Sequence, residues 1–210
     1  MIKQNNNTPL ENISNIVLKR GFDILFSIII ILFCLSWMYP LFALIIKLQS
    51  RGPVIYKQLR EGKNGIYFMC LKFRSMHLND ESDNTWTKLN DPRVTRFGVF
   101  LRRTSLDEFP QFVNVFLGNM SIVGPRPHPI QLNDLYRDRV EKFSSRHRAK
   151  PGVTGLSQMK GYRGSIIHYH QISSRIKLDR FYIQNWSFLF DLKIILLTIP
   201  ATLQWGLSSK

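Results

Sequence analysis

Ile24-Leu25-Phe26-Ser27-Ile28-Ile29-Ile30-Ile31-Leu32-Phe33-Cys34-Leu35-Ser36-Trp37-Met38-Tyr39-Pro40-Leu41-Phe42-Ala43-Leu44-Ile45-Ile46 runs for 23 positions without a charged side chain. How this stretch is read decides the fold. Roughly 20 apolar residues span the hydrocarbon core of a bilayer as a helix, so the run is long enough to enter a membrane. It is too long for the apolar part of a cleaved signal peptide, and no small-residue cleavage site follows it. A helix buried in a soluble core is the plainer alternative. Lys19 and Arg20 precede the run, and Lys47, Arg51, Lys57 and Arg60 follow it. Positive charge favours the cytoplasmic side, so both ends ask for the same side. Between them, Pro40 removes a helical hydrogen bond, Ser36 can satisfy a freed carbonyl, and Trp37 and Tyr39 prefer an interface to the hydrocarbon centre. These residues predict a re-entrant helix–break–helix, with Ser36 and Pro40 at the break; a kinked spanning helix is the alternative.

Outward from this segment, the chain of 210 residues holds 29 Lys+Arg against 14 Asp+Glu, a formal net charge of +15. Such an excess points to anionic partners: nucleic acid, acidic lipid headgroups or phosphorylated substrates. No acid lies between Glu141 and Asp179, a stretch that contains Lys142, Arg146, Arg148, Lys150, Lys160, Arg163, Arg175 and Lys177. For any one of these, a solvated basic face is the plain reading. Cys34 and Cys70 are far apart and form no C-x-x-C pair, so neither a zinc site nor a disulfide framework is expected and a reducing compartment fits.

The expected organisation is an N-terminal segment (1–18) without fixed structure, a membrane segment (19–50) and a cytosolic catalytic domain (51–210). Pro53 to Gln58 and Ile66 to Phe73 read as two strands, joined by Glu61-Gly62-Lys63-Asn64-Gly65, whose Asn-Gly pair accepts positive φ. In the second strand the period of two puts Lys72 and Arg74 on one face and Phe73 on the other. Asn79 to Asp91 reads as a mobile loop. Helices are expected at 107–117, 129–148, 168–182 and 188–205, with a loop around 151–155. The last helix is apolar enough to lie on a membrane interface, near Trp186 and Trp205; a core helix is the plainer reading. The fold class expected is α+β: a re-entrant membrane helix, a small β-hairpin and a mostly helical domain.

Asp107 and Glu108 are the residues most suited to chemistry. Locally, Ser105-x-x-Glu108 fits a capping box, which would make both acids mere starters of a helix, and Pro110 suits a first turn. A helix N-terminus would keep both carboxylates ionised. Adjacent helical residues point about 100° apart, so one group can attack while the other holds a cation. Gly124-Pro125-Arg126-Pro127 is the second candidate: two prolines restrict the backbone around Arg126, whose planar guanidinium suits bidentate phosphate binding. A rigid surface turn with an incidental Arg is the bland alternative. Lys72, Arg74, Arg102 and Arg103 could add charge around a diphosphate. Walker-type and Rossmann glycine patterns are absent.

Several motifs in order carry a more specific signal. They are Lys19-Arg20-Gly21-Phe22-Asp23, Gly52-Pro53-Val54, Lys72-Phe73-Arg74-Ser75-Met76, Asp91-Pro92-Arg93-Val94-Thr95, Leu101 to Gln111, Met120 to Pro127, Lys150 to Gly155 and Asp191-Leu192-Lys193. Together they resemble the monotopic phosphoglycosyl transferases of the bacterial sugar transferase family, over nearly the whole chain. The resemblance implies a UDP-sugar as donor and undecaprenyl phosphate as acceptor. Asp107 would attack the β-phosphate, release UMP and carry the sugar phosphate; the polyprenyl phosphate would then displace it. Glu108 would hold Mg2+, and Lys72, Arg102 and Arg126 match phosphate-binding positions, with Asp179 and Arg163 as further lining residues. The implied role is the first membrane step of a surface glycan (capsule, exopolysaccharide, O-antigen or glycoprotein glycan), at the bacterial inner membrane with the catalytic domain facing the cytoplasm. Inner-membrane lipids are then partners and nucleic acid is not; oligomeric state is left open. Two departures stand out. Ser36 and Pro40 are separated where many members have Ser-Pro, and Tyr162 precedes Arg163 where Gly-Arg is commoner. The family's longer branch has further N-terminal spans that are not among these 210 residues. The rival from another class is a membrane-tethered basic binding module for acidic lipid or nucleic acid.

Overall fold

The structure is a computed structural model describing residues 8–78, 91–162 and 169–208, with backbone alone from 203 onward. Residues 79–90 of the loop expected at 79–91, Arg163 and the side chain of Trp205 therefore lie outside the described residues.

Ile13 to Gln49 form one uninterrupted helical run. It comprises α1 (Ile13–Ile30), a π-helical turn over Ile31–Leu35 and α2 (Ser36–Gln49). Asn12 caps it, accepting from the Ser14 N–H at 2.9 Å. Pro9–Glu11 form a 3-10 turn with Leu10 buried in the main core. Residues 8–18, expected to lack fixed structure, are thus ordered, because a side-chain cap and an apolar anchor hold them.

The helix also stays continuous where a break was expected. Ser36 N–H reaches back to the Ile31 carbonyl, and the Leu32 and Phe33 carbonyls accept from Ser36 Oγ at 2.6 Å and Trp37 Nε1 at 2.9 Å. Pro40 lies inside α2. Side-chain donors thereby satisfy carbonyls that the π-helical turn leaves without the usual backbone partner.

One face of the run is seated on the globular part from end to end. Phe22, Phe26, Ile30 and Ile31 pack against the main core, and Leu35, Met38, Phe42 and Ile46 belong to a second cluster with Val54, Phe73 and Leu101. Spacings of three and four keep these residues on one side. Leu25, Ile29, Leu32, Phe33, Leu41, Leu44 and Leu48 lie exposed on the remainder. Polar fastenings hold both ends. Near the start, Arg20 donates to the Val115 and Phe116 carbonyls at 2.6 and 2.7 Å. Lys19 pairs with Asp191 at 2.6 Å, and Asp23 accepts from Ser121 Oγ and Ile122 N–H at 3.0 and 2.9 Å. At the far end, Arg74 donates to the Ser50 carbonyl at 2.8 Å and also to that of Arg51.

The expected hairpin is present as β1 (Ile55–Glu61) and β2 (Tyr67–Phe73), antiparallel, with Ile55 opposite Phe73 and Glu61 opposite Tyr67. Its turn takes positive φ at Asn64 and Gly65, as Asn-Gly chemistry demands. Next comes α3 (Arg96–Thr104), which the sequence reading missed because three arginines obscure its apolar face. Thr95 Oγ1 caps it, accepting from Gly98 N–H at 2.9 Å. A 3-10 turn at Leu106–Glu108 precedes α4 (Gln111–Leu117). A second, parallel sheet pairs β3 (Ser121–Val123) with β4 (Gly152–Thr154), where a loop had been expected at 151–155. The helix expected at 129–148 is α5 (Ile130–Arg137) followed by a 3-10 segment at Phe143–Arg148. α6 (Leu156–Met159), α7 (Tyr169–Gln184) and α8 (Phe188–Ser208) complete an α+β fold.

Gly98 marks a tight crossing. A Cβ there would come 1.9 Å from the Ser75 carbonyl oxygen, a backbone atom that cannot swing aside. Gly98→Ala is expected to cost about 1–3 kcal/mol and to displace α3. The thermal midpoint of the detergent-solubilised chain checks it, and an unchanged midpoint would contradict the crossing.

Candidate active site

Three stretches distant in sequence deliver five of the expected site residues to one place. Lys72 comes from the end of β2, Asp107 and Glu108 from the 3-10 turn after α3, Arg102 from α3 itself, and Arg126 from the loop after β3. Ser105 adopts φ 56, a left-handed conformation that ends α3 and turns the chain into Leu106–Glu108. Its side chain makes no capping bond. The capping box is therefore not formed, because the Glu108 carboxylate is drawn elsewhere.

Glu108 Oε1 lies 2.6 Å from Lys72 Nζ and 2.7 Å from Arg126 Nη2, and Oε2 lies 3.2 Å from Arg126 Nη1. This is a forked, charge-assisted contact. Burial alone would raise the Glu108 pKa, but Arg126 and Lys72 outweigh it and hold the carboxyl well below the usual range. Asp107 differs in kind. It is 9% exposed and its carboxylate has no hydrogen bond or ion pair among the described residues. Burial pushes its pKa up to about 6, opposed by Lys72 and reinforced by Glu108. The expectation that a helix dipole keeps both acids equally ionised is thus corrected: burial separates them.

Arg102 is oriented by Ser75 Oγ, which accepts from Nε at 2.9 Å, and by Met76 Sδ at 3.3 Å from Nη2. Its charge acts on Asp107 without a hydrogen bond between them. Arg74, although two residues from Lys72, is buried against the end of α2 and supplies no charge to the site. Arg103 is exposed.

The backbone that carries Arg126 is held from behind. A Cβ on Gly124 would meet the Lys150 carbonyl oxygen at 2.3 Å, so only glycine lets β3 lie this close to β4. Arg60 Nη1 donates to the Pro127 carbonyl at 2.7 Å, and Arg146 donates to the Arg126 carbonyl. Arg146 is 2% exposed and pairs with Asp179 at 2.9 Å, while Ser157 Oγ donates to Asp179 at 3.0 Å. His128, whose pKa burial and then Arg146 drive well down, offers Arg146 a neutral ring nitrogen. Asp179, expected to line the site, is buried and reaches it through Arg146. Arg60, Arg146 and His128 were missed, since nothing local in sequence separates a buried arginine from a surface one.

Can these groups hold a divalent cation? No cluster of three or more Asp, Glu, His or Cys side chains exists among the described residues. Mg2+ needs no such cage, usually taking one or two carboxylates plus phosphate oxygens and water. Glu108 offers one such carboxylate, since its Oε2 has only the longer Arg126 contact. The residues fit the ion.

The family model described as bacterial sugar transferase matches residues 14–205. Over 194 residues the chain is 47% identical to the UDP-glucose:undecaprenyl-phosphate glucose-1-phosphate transferase of Escherichia coli (strain K12), covering 91% of this chain and 41% of that protein. It is 45% identical over 186 residues to the undecaprenyl-phosphate glucose phosphotransferase of Komagataeibacter xylinus, covering 86% of this chain and 35% of that one. The chain thus spans about two fifths of the length of such relatives. The exopolysaccharide production protein PSS of Rhizobium leguminosarum bv. phaseoli is 45% identical over 197 residues, covering 91% of this chain and 98% of its own length.

Between about pH 4 and 6 the folded chain keeps a proton on Asp107 that the unfolded chain has lost, so this residue's contribution to stability falls as pH rises through that window. Asp107→Asn removes the cost. It is expected to raise stability by about 1–3 kcal/mol at pH 7.5 and by little below pH 4, read as thermal midpoints at the two pH values.

Proposed function

The chain belongs to the bacterial sugar transferase family, and on that premise we propose that it transfers a sugar 1-phosphate from a UDP-sugar to undecaprenyl phosphate, releasing UMP. The observation that carries this is the contrast at the site: a buried Asp107 carboxylate without a partner beside a Glu108 clamped by Lys72 and Arg126. An unpartnered carboxylate in a water-poor site is a good nucleophile toward phosphorus. A forked, paired one is a poor nucleophile but a rigid electrostatic anchor.

In the first step an Asp107 carboxylate oxygen forms a bond to the β-phosphorus, and the bond to the oxygen bridging the two phosphates breaks. UMP leaves with that oxygen and its electron pair. Arg102 and Arg126 would balance charge on the diphosphate, and the charge of Lys72 acts on both carboxylates. In the second step a phosphate oxygen of the polyprenyl carrier attacks the same phosphorus and the Asp107 carboxylate departs. Glu108, through Oε2, would hold Mg2+ with the substrate phosphates; when bound, the ion neutralises the diphosphate and stabilises charge at the leaving oxygen. The names of these relatives make UDP-glucose the first donor to test and exopolysaccharide assembly the first pathway. A basic binding module would leave the unpartnered Asp107 without a purpose.

The soluble donor and the lipid acceptor must meet at a membrane surface. The seating of one face of the 13–49 run on a single body supports a helix whose two ends stay on one side of the membrane, with the globular part in the cytoplasm. A helix crossing the bilayer would leave its far half without this protein partner.

With UDP-glucose, undecaprenyl phosphate and Mg2+, the wild type is expected to release UMP. Asp107→Asn should lose at least about a thousandfold, the scale of removing a nucleophile, and kcat/KM should fall as pH drops through about 6. Full activity of Asp107→Asn would overturn the nucleophile, and a broad panel of UDP-sugars yielding no UMP would overturn the reading. Topology is checked separately. Asn15→Cys and Ser50→Cys, each in a chain with Cys34 and Cys70 replaced by Ala, should both label only from the cytoplasmic side. Periplasmic labelling of one would establish a crossing.

A further inference from the structure

The end of α4 away from Asp107 and Glu108 closes at Gly118, φ 89. A side chain placed there would meet Arg20 Nη2 at 3.4 Å and Lys150 Nζ at 3.6 Å, so a guanidinium and an ammonium flank one small space. Arg20 is fixed by the Val115 and Phe116 carbonyls. Lys150 is half-buried and has no hydrogen bond or ion pair among the described residues. Burial, then Arg20, push its ammonium pKa down; Asp23 opposes this, and Lys63 on the hairpin turn adds to it. Asp23 is itself buried and already accepts from Ser121 and Ile122. Part of this charge suits the end of α4, where a helix carries about half a negative charge. Arg20 already meets that need, which leaves Lys150 uncompensated.

The rim of this space is apolar. Phe116 is 43% and Leu117 65% exposed on α4, and Val17 on α1 is 65% exposed. Cations beside exposed apolar groups, at the turn where a membrane helix begins, match the level at which lipid phosphates sit above acyl chains. We propose that Arg20 and Lys150 form a binding site for the phosphate of an anionic membrane lipid, whose acyl chains lie along Phe116, Leu117 and Val17. A free phosphate shares the headgroup's chemistry, but the apolar rim assigns the site to the lipid. The inference rests on residues 13–49 lying in a membrane and not on sugar-phosphate transfer.

The test uses the full chain, purified in neutral detergent and reconstituted into phosphatidylcholine nanodiscs with or without phosphatidylglycerol. Wild type is expected to keep one phosphatidylglycerol through delipidation, counted by native mass spectrometry, and to gain thermal stability from it. A Lys150→Gln variant should keep roughly fivefold less, the scale of one interfacial lysine; Lys150→Arg should behave as wild type. Equal retention by wild type and the Gln variant would overturn the site. So would loss in the Arg variant as complete as in the Gln variant. Inorganic phosphate reproducing the full stabilisation without lipid would overturn the lipid assignment. UMP release is followed in parallel, and its absence from wild type would sink the transferase reading while leaving the lipid result standing.

Discussion

The Glu108 carboxylate, 2.6 Å from Lys72 and 2.7 Å from Arg126, is the contact on which the geometry around Asp107 depends. It ties the end of the hairpin, the turn after α3 and the loop after β3 into one wall. Removing one partner of such a buried pair typically costs about 3–5 kcal/mol, because the other charge is left uncompensated. The same pairing sets the electrostatics of its neighbour. With Lys72 and Arg126 drawn toward Glu108, Asp107 keeps its burial but receives no hydrogen bond from them, and its proton is held more tightly. Two adjacent carboxylates are in this way made chemically unequal.

A second set of polar contacts decides where that wall lies. Lys19, Arg20 and Asp23 occupy little more than one turn of α1, yet they reach Asp191, the end of α4 and the start of β3. Arg74 does the same for the last turn of α2. The apolar face between these fastenings is continuous with two hydrophobic clusters of the globular part. The helix is consequently part of the fold's own core on one side and presents apolar surface on the other. That arrangement brings the end of β2, and with it Lys72, close to the apolar belt.

Behind Arg126 lies a layer of arginines that do no chemistry in the proposed reaction. Arg60 and Arg146 donate to the carbonyls of Pro127 and Arg126, and Arg146 is neutralised by Asp179. Buried guanidiniums are costly unless paired. Here the expense is offset by rigidity: two prolines and two arginine donors leave the Arg126 backbone little freedom, so its side chain starts close to its working position. The Gly118 cluster belongs to a different neighbourhood, beyond the far end of α4, where charge meets exposed apolar surface.

Much of this was legible in the chain before folding is considered. An apolar run of membrane length with basic flanks, Asn-Gly at a hairpin turn, Pro-Arg-Pro and an Asp-Glu pair are local signals, because helix length, turn φ and charge are properties of short segments. They marked the long apolar helix, the hairpin and the α+β class, and singled out Asp107, Glu108 and Arg126 as candidates, with Lys72 and Arg102 added as further charge. What they left undecided depended on partners far away in sequence. The three-residue strands β3 and β4 are too short to announce themselves and exist only because the two segments pair. The local pattern read Glu108 as a helix cap, and Lys72 and Arg126 from elsewhere made it an ion-pair centre. Asp179 looked like a site residue and became the counterion of a buried Arg146. Tertiary structure alone decided these points, since burial and charge pairing act through space and carry no mark in the residues that will experience them.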